Sequence, residues 1–142
     1  MKSEIIEEIQ NVLFEVQILT ELAETRTIHF FYEVRKWIKK AQKLFIDNRL
    51  PIGAQIASYN GILLSIENDG LIPKDLVFQK SPTKLKIRRA AATIYMQKTV
   101  ELILNFLTQM SVMLNALEKR KNSENEKSIG GENYTRRKEK RD

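Results

Sequence analysis

Two clusters of basic side chains have the residue types and the spacing of an anion-binding site. The first consists of Arg35, Lys36, Lys39, Lys40 and Lys43. In a helix, steps of four residues bring Arg35, Lys39 and Lys43 onto one strip, with the other two lysines beside it. Like charges at this spacing repel one another unless an anion faces them. Because lysine is also the ordinary residue of an exposed helix face, the pattern predicts either an anion-binding surface or a solvated one.

The second cluster lies at and after the start of a later predicted helix, and it consists of Lys80, Lys84, Lys86, Arg88, Arg89 and Lys98. Positive side chains there add to the positive end of the helix dipole, a cost that is usually accepted where phosphate is bound. Nucleic-acid phosphates match both clusters best, and nothing indicates that base edges are read. The predicted contact residues are Arg35, Lys36, Lys39, Lys40, Lys43, Lys84, Arg88 and Arg89.

Catalytic and metal-binding patterns are absent from the sequence, which has no glycine-rich phosphate loop, serine elbow or helical zinc pair. The absence of cysteine excludes disulfides, thiolate ligands and a cysteine nucleophile. His29 is the only histidine, without an evident acid–base partner. Glu4, Glu7 and Glu8 share a helix face, but helix-dipole and solvation roles explain them more simply than a cation does. We predict no catalytic residue, no metal and no cofactor.

Two further side chains allow more than one interpretation. Trp37 lies within the first basic cluster and could stack on a base, but packing at the edge of the core is the favoured prediction. Glu101 lies among apolar residues of the last predicted helix, where a flanking solvent position is favoured over a buried acid.

Apolar residues recur at helical spacing in four segments, at residues 3–21, about 25–46, 51–69 and 84–121, and the last has room for one bend or break. Gly70 is predicted to end the third helix. Gly53 and Gly61 lie inside that helix, and each is predicted to allow a neighbouring backbone to approach closely. A short extended piece is predicted at 76–78, in the connection to the fourth segment.

Length and composition complete the fold prediction. The chain has 142 residues, of which 42% are apolar, enough for one core. Few glycines and prolines favour long helices. We therefore predict an all-α fold, a compact bundle of four to five helices formed by residues 1–121. After Lys121 apolar residues are too few to offset the entropy of ordering, so residues 122–142 are predicted to form a disordered basic tail.

Charge and hydropathy indicate where the protein works. The net charge is +6, and residues 119–142 hold nine basic and five acidic residues, whereas residues 1–33 hold seven acidic and two basic ones. The first residues lack the apolar core of a signal peptide, and no uninterrupted apolar span of about 20 residues exists. These observations predict a soluble, cytoplasmic protein without a membrane partner.

Two segments carry a distinctive order of residues, LPIGAQIASYNGILLSI at 50–66 and VELILNFLTQMSVML at 100–114. They resemble the small helical subunit of type III-B (Cmr) CRISPR-Cas effector complexes, in which a Leu-Pro turn leads into an Asn-Gly-Leu-like helix, here Asn60-Gly61-Ile62. The resemblance covers about residues 28–117. It implies a non-catalytic subunit that stacks along the proteins of the guide-RNA backbone, contacts target RNA through basic residues and cleaves nothing.

These observations together favour a helical subunit that lines an RNA-binding channel in a larger ribonucleoprotein. Its expected partners are RNA, other effector subunits and copies of itself, which the segregated acidic and basic ends would stack head to tail; no small-molecule substrate is expected. The RNA hypothesis requires the two basic clusters to share one face. Alternatives are a helical protein–protein adaptor without nucleic-acid binding, a nonspecific DNA-binding helical protein and, least favoured, a metal-free hydrolase.

Overall fold

The computed structural model describes residues 3–25 and 28–138, with side chains as far as residue 123. The described residues form five helices, α1 (Ser3–Phe14), α2 (Val16–Glu24), α3 (Phe30–Asp47), α4 (Ile52–Asp69) and α5 (Lys84–Lys138), and no strand. The prediction of an all-α fold with four to five helices is confirmed. The chain divides into two units, Met1–Leu104 and Asn105–Asp142.

The core of the first unit is built around α3, which packs against α4, α1 and α2. The buried residues of α3 recur at helical spacing and include Val34, Ile38, Ala41 and Phe45. Several neighbouring helices must pack on this stripe, because a helix stabilises a small domain mainly by burying its apolar face. The first turns of α5 join the same core through buried residues such as Tyr95.

The first predicted helix is interrupted at Glu15, so the expectation of one helix over residues 3–21 is wrong at this point. The peptide N–H of Glu15 still donates to Asn11 O, at 3.3 Å. The carbonyl of Val12 instead accepts a hydrogen bond of 2.7 Å from Trp37 Nε1. The last carbonyls of a helix lack partners within it, and here a side chain of α3 supplies one. This contact between helices could not be derived from the local pattern of residues 3–21.

The connection between α3 and α4 is a tight helix end followed by a new start. Arg49 adopts the left-handed conformation with φ 57°. The N–H groups of Arg49 and Leu50 donate to Ile46 O and Phe45 O, at 2.9 and 2.8 Å, which satisfies two of the last carbonyls of α3. Pro51 follows and leads directly into α4.

The two glycines inside α4 differ in their surroundings. A Cβ on Gly53 would lie 2.9 Å from Ile46 Cγ1 and 3.0 Å from Ile46 N, so the predicted close backbone approach is confirmed there. A Cβ on Gly61 would meet nothing within 4 Å. The same prediction is therefore wrong for Gly61, which lies on an open part of the helix surface.

Gly70 ends α4 as predicted, with φ 68°. The chain then runs without a regular element to Thr83, and the short extended piece predicted at 76–78 is not a strand. The Thr83 hydroxyl accepts a hydrogen bond of 3.2 Å from the peptide N–H of Lys86 and so caps the start of α5. α5 shows no break up to Lys138. The predicted disordered tail, 122–142, stays a prediction because the side chains after residue 123 and all of residues 139–142 lie outside the described part of the chain.

Candidate binding surfaces

Most of the first basic cluster is engaged in ion pairs within the protein. Lys36 lies 3.6 Å from Glu33, and Lys43 lies 2.7 Å from Asp47, both on α3 itself. The Asp47 carboxylate raises the pKa of Lys43 by accepting its hydrogen bond and by its charge. Lys40 Nζ lies 2.5 Å from Glu15, the residue between α1 and α2. The charges that the sequence presents as a basic strip are thus largely balanced at the surface.

Arg35 points to a different neighbour from the lysines of its cluster. Its guanidinium pairs with the Glu67 carboxylate on α4, and both side chains are 24% exposed. Lys40 meets the α1–α2 junction instead. Arg35 therefore faces α4, whereas Lys40 faces the α1–α2 junction.

Arg88 ties the start of α5 to α3 and α4. Its guanidinium carbon lies 5.7 Å from the centre of the Phe31 ring, a cation–π contact. Nη1 donates to Tyr32 Oη at 3.3 Å, and Nη2 donates to the Glu67 carbonyl at 3.5 Å. Arg35 and Arg88 therefore meet at one residue, and this is the point at which the structure brings the two clusters together.

The meeting place is a cavity of about 340 Å³ between the last turn of α4 and the first turns of α5. Glu67 and Asp69 line it from α4, and Lys84 and Arg88 line it from α5. An acid at the C-terminal end of a helix and a base at the N-terminal end are each unfavourable alone, but they complement each other when the two ends are adjacent. The acidic residues at the end of α4 therefore compensate the positive charges at the start of α5 without a bound phosphate.

Sequence reasoning did not single out Glu67. Its position near the C-terminal end of a helix, where an acid is disfavoured, was the available signal. A second acid that was not singled out is Asp75, whose carboxylate accepts hydrogen bonds from Lys98 at 2.9 Å and from Tyr95 at 3.3 Å. The Lys98 hydrogen bond and charge lower the pKa of Asp75 below its usual value, and burial raises the pKa of Tyr95.

The remaining predicted contact residues are Lys39, Lys84 and Arg89. Lys39 is exposed on α3, and Lys84 is exposed in the first turn of α5, as is the neighbouring Lys86. Within the described part of the chain, no salt bridge involves these three lysines. Arg89 is partly buried and lines a small recess beside Phe31 and Arg88.

The other side chains considered for chemistry take structural or surface positions. Trp37 is 4% exposed and hydrogen-bonded to Val12, so the prediction of core packing is confirmed and base stacking has no accessible ring. His29 and Glu101 are exposed. Within residues 3–25 and 28–123, no group of three or more acidic or histidine side chains is placed to hold a metal ion.

The described part of the second unit presents an apolar surface on α5. We define the α5 apolar face as Leu107, Met110, Met113, Leu114 and Leu117, which recur at steps of three and four. Met113 and Leu117 are 56% and 55% exposed, and Leu114 is also exposed. In the described part of this unit α5 is the sole element, so the helix cannot bury this face against its own unit.

The same part of α5 must also be considered as a possible membrane-spanning helix. By length and composition, α5 between Lys84 and Ser123 is apolar enough to cross a membrane, and 11% of its most apolar window is buried. Six residues between 101 and 115 are polar: Glu101, Asn105, Thr108, Gln109, Ser111 and Asn115. Most of them share the arc of the helix opposite the α5 apolar face, which is the distribution of an amphipathic helix.

Comparison with protein-family models, with curated protein sequences and with solved structures gives no match to this chain. The resemblance to the type III-B small subunit therefore stays a prediction.

Proposed function

We propose that this protein is a non-catalytic helical subunit that binds another protein through the α5 apolar face. The single observation that carries the proposal is a row of five apolar side chains, three of them exposed, on a helix that has no other described element in its unit. Exposed apolar stripes on amphipathic helices are typical of helix-mediated protein contacts.

The pairing of the basic residues supports a protein contact over an RNA channel. Four of the five cations in the first cluster already face a carboxylate, and Arg88 holds helices together. Each of these carboxylates partly neutralises its cation and so weakens the attraction of that cation for a phosphate. Three residues of the α5 apolar face, Met113, Leu114 and Leu117, are exposed and are therefore accessible to a partner.

The test replaces two side chains of the face with charged ones. The double variant Met113→Glu, Leu117→Glu should lose the proteins that co-purify with the tagged full-length chain from native lysate, because burying a carboxylate in an apolar contact is costly. Co-purifying proteins are identified by mass spectrometry, and circular dichroism checks that the variant is folded.

The matched control is Ser111→Glu, Asn115→Glu, which adds the same charge at the same spacing on the polar side of the same helix. It should retain the partners. Capture of the same proteins by both variants would refute the proposal, because the contact would then lie elsewhere.

A second candidate function is contact with an RNA backbone, as the resemblance to type III-B small subunits suggests. The observation that favours it is the exposure of Lys39, Lys84 and Lys86 without a salt bridge in the described residues. Three phosphate contacts on a single strand predict a slope of about −2 for log affinity against log salt.

The RNA candidate is tested with Lys39→Glu, Lys84→Glu, Lys86→Glu, a variant that leaves the structural arginines intact. Binding of a labelled single-stranded RNA, followed by fluorescence anisotropy at low salt, should weaken strongly. The variant Lys36→Glu, Lys40→Glu, Lys43→Glu is the control with the same charge change at paired positions, and it should weaken binding less. Equal competition by double-stranded DNA would favour the DNA-binding alternative.

A further inference from the structure

We propose that the chain has a second docking surface, at the starts of α3 and α5, which binds a peptide segment that is both acidic and apolar. The residues of this surface, the Leu85 patch, line one recess: Ile28, Tyr32, Leu85, Arg88 and Arg89. The patch lies within the first unit and shares no residue with the α5 apolar face. The inference therefore goes beyond the proposed function and does not depend on it.

The patch exposes apolar side chains beside a buried aromatic floor. Ile28, Leu85 and Tyr32 are 67%, 48% and 40% exposed. The rings of Phe30 and Phe31, which line the same recess, are buried. The recess has a volume of about 30 Å³, close to the space that one water molecule takes in the liquid. It therefore receives only the tip of an apolar side chain, and the exposed residues around it cover the rest.

The charge of the patch is positive. Among the described residues, the charged side chains that line the recess are Arg88 and Arg89. Arg88 donates to Tyr32 Oη and to the Glu67 carbonyl, which are neutral oxygens, and in the described part of the chain no salt bridge involves it. The acidic side chains of Glu67 and Asp69 line the neighbouring cavity and not this recess. A carboxylate from a partner is thus the complementary group.

The surrounding sequence strengthens this preference for an acidic partner. Residues 76–100 contain six basic residues and no acidic one. Lys86, which follows Leu85 on α5, is exposed. Such a field attracts an acidic segment and repels a basic one within a Debye length of about 8 Å at physiological salt. Charge selects the partner here, in contrast with the α5 apolar face, where residues 102–117 contain no Asp, Glu, Lys or Arg.

The fixed position of Arg88 favours a peptide carboxylate over other anions. Its guanidinium lies 5.7 Å from the centre of the Phe31 ring and donates to Tyr32, so its planar donors are oriented before a ligand arrives. A planar guanidinium matches a carboxylate through two parallel hydrogen bonds, and arginine clusters recognise acidic motifs in peptides. An RNA backbone would satisfy the arginines but leave Ile28 and Leu85 without apolar contact.

The test is selection from a library of random peptides displayed on phage, with the purified full-length chain as bait. Enriched peptides should place Asp or Glu beside an aliphatic or aromatic residue. The double variant Ile28→Glu, Leu85→Glu should not enrich them, because it removes apolar contact and sets acids against the acids of the peptide.

The matched control is Ile18→Glu, Leu71→Glu, which adds the same charge at apolar residues of similar exposure, 62% and 47%, outside the recess. It should enrich the same peptides as the wild type. All four positions are exposed, and circular dichroism checks that both variants are folded. Enrichment without acidic residues, equal enrichment by the two variants, or no enrichment by the wild type would each overturn the inference.

Fluorescence anisotropy then measures the affinity of one enriched peptide, synthesised with a label. Replacing its Asp and Glu by Asn and Gln should weaken binding at least about 10-fold, because hydrogen bonds between charged groups are lost. An unchanged affinity would contradict the role of the arginines. Single-stranded RNA and phosphatidylserine vesicles are the competitors. Tighter binding of either one, lost in Ile28→Glu, Leu85→Glu, would assign the patch to that ligand and not to a peptide.

The same peptide separates this inference from the proposed function. The charged variant of the α5 apolar face, Met113→Glu, Leu117→Glu, should bind the peptide as tightly as the wild type does. Loss of the peptide in that variant would move the site to the α5 apolar face and overturn the inference. Retention of the peptide together with loss of the lysate proteins would support two separate surfaces.

Discussion

At the scale of single residues, Trp37 shows how one side chain serves two helices. Its indole is buried in the core, and its N–H satisfies a carbonyl that the end of α1 leaves without a helical partner. The hydrogen bond and the break at Glu15 are therefore linked, because a continuous helix would pair the Val12 carbonyl with a peptide N–H.

Replacing Trp37 by Phe is expected to lower the free energy of unfolding by about 1–3 kcal/mol, because the buried Val12 carbonyl then lacks a donor. Urea denaturation followed by circular dichroism measures the change. If the Trp37→Phe variant unfolds at the same urea concentration as the wild type, the Val12 carbonyl has another donor.

Asp75 provides a residue-scale prediction about pH. Its hydrogen bond and ion pair with Lys98 lower its pKa in the folded protein, so the folded carboxyl binds its proton less tightly than the unfolded one. The pair therefore contributes to stability above about pH 4, the usual value for the unfolded chain, and loses that contribution as pH falls through the lowered folded pKa. Lys98→Met should raise the pKa of Asp75, measured by NMR titration of its carboxyl carbon; an unchanged midpoint would contradict the assignment.

At the scale of elements, packing should decide the effect of a substitution at one glycine of α4, and helix propensity should decide it at the other. Gly53 lies against the backbone of α3, whereas Gly61 meets no neighbour. Gly53→Ala should destabilise the protein by about 1–3 kcal/mol through overpacking. Gly61→Ala should stabilise it by about 0.5–1 kcal/mol, since alanine is the better helix former. Thermal denaturation compares the two, and shifts of equal sign would contradict this explanation.

The helices themselves could be predicted from the sequence to a large extent, because their apolar residues repeat with the helical period. Gly70 marked the end of α4 correctly, since glycine readily adopts the left-handed conformation found there. The break at Glu15 and the open surroundings of Gly61 could not be predicted, because both depend on which other helix lies nearby.

The candidate site was harder to predict than the helices. The basic residues of α3 were identified, but the acids that pair with them come from other elements, as Glu15 and Glu67 do. One-dimensional spacing shows which charges share a helix face, and it does not show which charges oppose them across a packing contact. The positive start of α5 indicated phosphate for this reason, while its neighbour in the fold is the acidic end of α4.

At the scale of the whole molecule, the two units have different sources of stability. The first unit has a core shared by several helices, whereas the described part of the second unit is one helix with an open apolar face. Helices without tertiary cover are marginal in water, and local opening follows the density of buried contacts.

Amide hydrogen exchange should therefore be faster in residues 107–123 than in residues 34–45 when the chain is dilute. Exchange is followed by mass spectrometry of peptic fragments. Equal protection of both segments in dilute protein would contradict the difference in stability.

Because Trp37 is buried, its intrinsic fluorescence can report on the contact between α1 and α3. It is the only tryptophan, and its ring lies where α3 meets the carbonyl end of α1. Its emission should be shifted to the blue and shielded from acrylamide while these helices are in contact. Red-shifted, quenchable emission would then report the release of the amino-terminal segment in real time, without any attached dye.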